Sequence, residues 1–223
     1  MEDLADFFIN EEFTKPSVTA AELDRLLAAG WRHFGQQFFR YNLAIYNNEI
    51  RRVLPLRIHL ADFLISKSQR RTMKKNDDLD LAIGPVGITP ELEDLFYRHR
   101  QRFDHNPPDS IHTFLARDRS SEPCEMLQLS GRHGGRLIAA SFFDVGSTSV
   151  SGIYAVFDPD ESNRGLGTFT MLKEIEFAVS TGKEFYYQGY CYNGSSFYDY
   201  KKRFHGTQVY QWNGTWMSVP RNF

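Results

Sequence analysis

An aromatic run, Tyr186-Tyr187-Gln188-Gly189-Tyr190, is followed by a basic-aromatic cluster, Asp199-Tyr200-Lys201-Lys202-Arg203-Phe204. A buried strand end needs neither three tyrosines nor a Lys/Arg pair, whereas strand ends are where an α/β scaffold presents chemistry. These residue types suit acyl transfer to an amine. The amine must lose a proton and the tetrahedral oxyanion must be stabilised. Tyr, Lys and backbone N–H groups serve the second need, and a carboxylate orients the ammonium. Asp144, Asp158, Tyr187, Tyr190, Tyr200 and Lys201 are the candidates. Each has a plainer alternative. Asp144, just before Gly146, reads equally as a turn residue, and Tyr187 and Tyr190 as core aromatics with satisfied hydroxyls.

A second constellation lies at a strand-to-helix junction: Phe157-Asp158-Pro159-Asp160, then Asn163-Arg164-Gly165-Leu166-Gly167-Thr168. Glycines there let backbone N–H groups approach an anion, and Arg164 adds a cation. The alternative is a plain helix cap by Asp158 or Asn163. Neither Cys124 nor Cys191 has a basic neighbour in sequence, so no covalent mechanism is expected. The histidines are scattered without Cys/His ligand spacing, so no metal site is expected.

Length and composition bound the rest. The chain has 223 residues, enough for one sizeable core or two small ones. Hydrophobic residues at 41% and charged residues at 24% are ordinary for a soluble globular protein. With 19 Phe and 11 Tyr, some aromatics are free to line a binding surface. No apolar run reaches the ~18–20 residues of a membrane span. The acidic stretch from Met1 to Glu12 excludes a basic secretory leader, and two distant cysteines point to a reduced, cytoplasmic protein. The net charge of −2 hides three basic patches: Arg51, Arg52 and Arg57; Lys67, Arg70, Arg71, Lys74 and Lys75; and Lys201, Lys202 and Arg203. Each is a nucleic-acid footprint or a solvated face.

The elements that must position these residues follow from pattern. Thr19 and Glu22 form a capping box before the stripe Leu23, Leu26 and Leu27, with Gly30 as the stop. Trp31 to Tyr41 reads as a hairpin about Gly35. Leu54, Leu56, Ile58 and Leu60 alternate with Pro55, Arg57 and His59, a half-buried strand with Pro55 at its start or on an edge. Ser66 to Lys75 is a short basic helix and Leu79 to Ile83 a strand. Thr89 caps a helix with Pro90 at its first position, whose face Leu92, Leu95, Phe96, His99 and Phe103 makes His99 a packed core residue. A short helix over 109–116 precedes strands at 124–129, 136–144 and 148–157. A long helix over 163–180 is buried on most sides through Leu166, Phe169, Thr170, Leu172, Ile175, Glu176 and Val179. A strand over 184–189, a short helix over 196–203 and a hairpin about Asn213 and Gly214 complete the chain. The expected fold is α+β: a GNAT-like domain (N-acetyltransferase-like, with a mixed sheet) over 87–223, and an N-terminal α/β unit over 1–86. In such a domain the strand before the long helix diverges from the next one, and the gap admits an acyl donor.

The chain resembles the bacterial aminoacyl-tRNA–protein transferases over roughly Ala20 to Trp212. The segments that carry this are Leu26 to Gly35, Leu54-Pro55-Leu56-Arg57-Ile58, Ser66-Lys67-Ser68-Gln69-Arg70-Arg71, Tyr154 to Gly167, Tyr187-Gln188-Gly189-Tyr190 and Tyr200-Lys201-Lys202-Arg203-Phe204. The resemblance implies transfer of Leu or Arg from aminoacyl-tRNA to proteins beginning with Asp or Glu, the chemistry of the N-degron pathway. It implies no cofactor. It places substrate contacts at Arg57, Lys67, Ser68, Gln69, Arg70, Arg71, Tyr154, Phe157, Asp158, Leu166, Gly167, Gly189 and Arg203. At least one of Arg57, Arg70, Lys201 and Arg203 is expected to face the acidic acceptor. Where the family usually carries cysteines able to bind zinc or an iron–sulfur cluster, this chain has Asn47, Ile50 and Val53, so local hydrophobic packing is expected instead. Ser195 and Tyr198 also replace residues usual between the last two segments. Two further readings stay open: a GNAT enzyme using an acyl-CoA, whose pyrophosphate Arg164 and the glycines would hold, and a non-catalytic degron-binding relative.

Overall fold

Alternation of apolar and polar residues makes Glu49–His59 a strand, and its neighbours organise the molecule. In the computed structural model, which describes residues 8–103, 107–118 and 122–219, this strand runs inside the main sheet. In chain order the elements are β1 (Asn10–Thr14), α1 (Ala20–Ala28), β2 (Arg32–Phe34), β3 (Gln37–Tyr41), β4 (Leu43–Tyr46), β5 (Glu49–His59), α2 (Lys67–Lys75), β6 (Asp80–Pro85) and α3 (Pro90–Arg100). Then come β7 (Met126–His133), β8 (Arg136–Val145), β9 (Ser149–Phe157), α4 (Leu166–Ser180), β10 (Phe185–Tyr192), β11 (Thr207–Gln211) and β12 (Thr215–Ser218). The large sheet has the order β12-β11-β5-β10-β9-β8-β7-β6, with β4 added to β5, and β1-β3-β2 form a separate sheet. All pairs in the large sheet are antiparallel except β9 with β10. This is the expected α+β, GNAT-like mixed sheet. The stretches 1–86 and 87–223 share it, since β5 lies between β10 and β11 and β6 forms the far edge.

Because successive strand residues point to opposite faces, one strand can serve two cores. Phe143 packs with Ile58, Val150, Leu172, Ile175 and Tyr186 under α4. Its neighbour Phe142 packs with Leu92, Leu95, Phe96 and Val156 under α3. Tyr187, next to Tyr186, joins Leu23, Leu27 and Phe38 from α1 and the small sheet. So α4 covers one face, and α3, α1 and the small sheet cover the other.

Several expectations are corrected. Pro55 is neither at the start nor on an edge: it pairs with Tyr190 inside β5, just beyond the last β11 partner, Leu56 with Val209. The 109–116 helix shrinks to a 3₁₀ turn at Ile111–Thr113. Thr19 caps α1, but Glu22 pairs with Lys15 rather than closing a box. A complete capping box instead starts α2, where Ser66 and Gln69 each accept the other's backbone N–H. On α4, Glu176 and Val179 are exposed while Glu174 is buried. Hydrophobic packing replaces the family's cysteines only at Val53, which meets Tyr210 and Trp212. Asn47 and Asn48 both take positive φ and turn the β4–β5 hairpin, and Ile50 is exposed across from Ile45. No sulfur or imidazole stands at these three positions, so they do not fit a metal centre. His99 is a core residue as expected; burial lowers its pKa to about 4, so it is neutral at pH 7. Glu2, Asp3 and Asp6 lie outside the described residues.

Candidate active site

The parallel pairing of β9 with β10 lasts only from Phe185–Ser149 to Tyr187–Ser151. Beyond that point β9 keeps only β8 and β10 keeps only β5, with a bulge in β10 between Tyr187 and Gly189. The sheet therefore forks at Gly152 and Gln188. Backbone groups freed by a fork need partners, and here a cation supplies one. Arg32, from β2, donates Nη1–H to Ser151 Oγ at 2.7 Å and Nη2–H to the Gly152 carbonyl.

On the other side of Gly152 lies Glu174 of α4. It belongs to the i, i+4 line Leu166, Thr170, Glu174 and Ala178, all buried. Tyr186 donates its hydroxyl to Glu174 Oε2 at 2.6 Å. Burial pushes the Glu174 pKa up to about 7. A Cβ at position 152 would stand 2.8 Å from Tyr186 Oη and 3.0 Å from Glu174 Oε2, so the strand passes this close only as glycine. Gly152→Ala should therefore break the Tyr186–Glu174 bond, at a cost of about 1–3 kcal/mol. Chemical denaturation checks this, and an unchanged midpoint would show that the fork has slack.

Lys201 completes the fork from the 3₁₀ turn Phe197–Arg203, itself started by a Ser196–Asp199 capping box. Its Nζ lies 3.4 Å from the Tyr190 carbonyl, and 3.5 Å from where a Gly189 side chain would begin, with Arg32 Nη2 at 3.7 Å from the same point. Gly189 has φ +86°, so its backbone favours glycine, while the two cations stand at ordinary contact distance from the place a Cβ would fill. Burial, then Arg32, lower the Lys201 pKa to about 8. Tyr200, half-buried, has its pKa raised to about 12, first by burial and also by the charges of Tyr198 and Glu174. Gln188 at the bulge is buried with neither amide atom hydrogen-bonded. An unpaired buried amide is costly.

Of the expected site residues, the structure gathers Gly189, Lys201 and the Tyr190 backbone at this fork, with Tyr200 within electrostatic reach of Glu174. Others are engaged elsewhere. Tyr187 faces Arg57, which is clamped between Phe185 and Trp216 and donates to Gln208. The Tyr190 hydroxyl donates to the Gly30 carbonyl at 2.7 Å. Asp144 is not a turn residue: it lies within β8, wholly buried, 2.9 Å from His33 Nε2. Asp158 caps a 3₁₀ turn and holds Arg98 and Arg136. Arg164 is taken by Asp78 and Glu161. Leu166 is core, and Gly167 makes room for Phe157, whose ring would lie 3.3 Å from a Cβ there. Tyr154 stacks on Phe114 at 3.8 Å with its hydroxyl buried and unpartnered. Gln69 is spent on the α2 cap, and Ser68 lies beside Ser66. Lys67, Arg70, Arg71, Lys74 and Lys75 are exposed, as is Arg203. Sequence reasoning missed Arg32, Gly152 and Glu174. The i, i+4 line of α4 held the signal for Glu174, and an Arg inside the apolar segment Gly30 to Phe34 held it for Arg32.

A forked mixed sheet backed by a long helix is a GNAT-like fold, and a carboxylate and two cations meet at its fork. FemX has a similar fold, with a TM-score of 0.56 at 8% identity over 96% of this chain and 72% of that one. Residues 91–211 match the family model described as arginine-tRNA-protein transferase, C terminus. The aspartate/glutamate leucyltransferase of Stenotrophomonas maltophilia (strain K279a) is 32% identical over 82% of this chain and 75% of its own length. That of Acinetobacter baumannii (strain AYE) is 30% identical over 92% and 74%. The chain belongs to the arginine-tRNA-protein transferase family, and it is an aminoacyltransferase that draws on aminoacyl-tRNA. Among the described residues no helix is long and apolar enough to cross a membrane.

Proposed function

We propose that the chain transfers leucine from charged tRNA to the N-terminal amine of proteins that begin with Asp or Glu, in the cytoplasm and as a step of the N-degron pathway. Arginine is the rival donor. The carrying observation is the fork, where Glu174, Arg32 and Lys201 converge on Gly152 and Gly189. The names of the relatives support the donor and the acceptor class. In the proposed reaction the acceptor nitrogen attacks the ester carbonyl carbon of the aminoacyl-tRNA. The new C–N bond forms as the C–O bond to the ribose breaks. Glu174, held by Tyr186, takes the proton that the nitrogen loses and returns one to the departing ribose oxygen. Arg32 stabilises the oxyanion, and Lys201 receives the carboxylate of an acidic first residue. The test is transfer of labelled leucine or arginine from charged tRNA to peptides differing only in residue one. Transfer of neither, with the correctly folded protein, overturns the reading.

The exposed basic face of α2 is the proposed tRNA contact. Phosphate neutralisation makes binding salt-dependent. Arg70→Ala and Arg71→Ala should each reduce the log–log salt slope by roughly 0.7–0.9, measured by tRNA binding between low and moderate salt. Unchanged slopes would make this helix a solvated face. The acyl-CoA alternative loses its main support: Arg164 is held by Asp78 and Glu161, and α2 lays Thr72 against Gly165 at the start of α4. Loss of transfer on ribonuclease treatment separates the two donors.

A further inference from the structure

Three side chains distant in sequence meet on the α1 side of the sheet: His33 of β2, Cys124 before β7, and Asp144 of β8. Their ligand atoms lie within 4.8 Å of one another. We propose that His33 Nε2, Cys124 Sγ and Asp144 form a site for a divalent zinc-type cation that ties β2, and with it Arg32, to β8.

Hydrogen bonding at His33 motivates this. Its Nδ1 lies 2.8 Å from the Gly35 carbonyl, which only accepts, so Nδ1 carries the proton. Nε2 faces Asp144 Oδ2 at 2.9 Å and Cys124 Sγ at 3.7 Å. In the neutral imidazole Nε2 is a lone pair, and a lone pair aimed at a carboxylate needs a proton or a metal between them. A histidine that gives its other N–H to a backbone carbonyl is the usual second layer of a metal ligand. A tetrahedral zinc with bonds of about 2.0–2.3 Å holds its ligand atoms about 3.3–3.6 Å apart. The His33–Cys124 spacing already fits, the His33–Asp144 spacing must widen by about 0.5 Å, and the Cys124–Asp144 spacing, within 4.8 Å, must close by up to about 1.2 Å.

The charge balance points the same way. Asp144 Oδ1 is buried without a partner, and so is Glu122 Oε2, whose other oxygen accepts from the Ala116 N–H at 2.6 Å. Glu122 and Cys124 line one cavity of about 410 Å³. Several potential anions thus share one imidazole. A divalent cation would neutralise them, release the thiol proton, and leave its fourth position towards this cavity, for Glu122 or water. This site uses none of positions 47, 50 and 53, and it contradicts the expectation from sequence spacing that the chain has no metal site. Ligands at 33, 124 and 144 have no spacing to recognise.

The experiment uses tag-free protein stripped with a chelator and titrated with Zn²⁺ and with Co²⁺. The expected result is one equivalent bound, a thiolate-to-cobalt charge-transfer absorption and a raised Tm. The absorption should vanish in Cys124→Ser and persist in Cys191→Ser. Zinc should also slow alkylation of Cys124 in the unmutated protein at least tenfold, a readout that needs no variant to fold. Absence of the absorption together with unchanged alkylation, or an absorption that survives Cys124→Ser, overturns the site and leaves a protonated His33–Asp144 ion pair. Metal loading is read without transfer activity, so its failure and failure of the transferase reading are separate results.

Discussion

Glu174→Gln is expected to lower kcat by about 10²–10⁴-fold while making the protein more stable at alkaline pH. The first effect follows from the proposed proton transfer, since an amide cannot accept the proton of the attacking amine. The second follows from burial. The carboxyl has a folded-state pKa of about 7 against an ordinary value of 4.5. A raised acid binds more protons folded than unfolded, so stability falls as pH rises from about 4.5 to 7 and stays reduced above it. The penalty is about 3 kcal/mol when complete, at roughly 1.4 kcal/mol per pKa unit. Glutamine keeps the Tyr186 bond and removes the penalty. Thermal unfolding should show the variant about 5–10 °C more stable at pH 8 and nearly equal to the parent at pH 4.5. The parent's kcat/KM should rise through pH 7 as Glu174 ionises, and this limb should be missing from the residual activity of the variant. A variant with normal kcat would remove Glu174 from the reaction. A variant less stable at pH 8 would remove the buried charge as the cause.

The second large effect is on acceptor choice. Asp or Glu at residue one should exceed Asn or Gln by about ten- to a hundred-fold in kcat/KM. A charge-assisted bond to a desolvated carboxylate contributes about 1.5–3 kcal/mol, and ~1.4 kcal/mol is a factor of ten. Four cations were candidates from sequence. Arg57 is clamped by Phe185, Trp216 and Gln208, and Arg70 donates to the Ile65 carbonyl. Arg203 is exposed, whereas Lys201 is half-buried at the fork, 3.4 Å from the Tyr190 carbonyl and 5.2 Å from the centre of the Tyr198 ring. Lys201→Met should keep the bulk of the side chain and collapse the Asp-over-Asn preference towards unity, with slow transfer to both. Because the Lys201 pKa is about 8, the parent's preference should also fade as pH rises past 8. Retention of the full preference in Lys201→Met would move acceptor recognition elsewhere. Equal rates for the four peptides with the parent enzyme would remove the acidic acceptor altogether.

What the sequence determined is what rests on local rules. The period of β5, the caps at Thr19 and Thr89, the turns at Gly35 and Gly134-Gly135, and the order of strands around one long helix follow from backbone preference and apolar spacing. The family likewise lay in contiguous motifs, and so did Gly189 and Lys201, because β10 and the turn after it are neighbours along the chain. The tertiary structure decided the rest. Asp158 and Arg164 looked like ligand groups until Arg98, Arg136 and Asp78 proved to hold them. Glu174 looked like one of several acids on a helix until α4 was laid over the fork. Arg32 reaches Gly152 across 120 residues, and His33 reaches Asp144 across 111. Such contacts carry no period and no spacing. They arise only when sheet pairing brings remote segments within hydrogen-bond distance, and burial then sets the charge of what meets there.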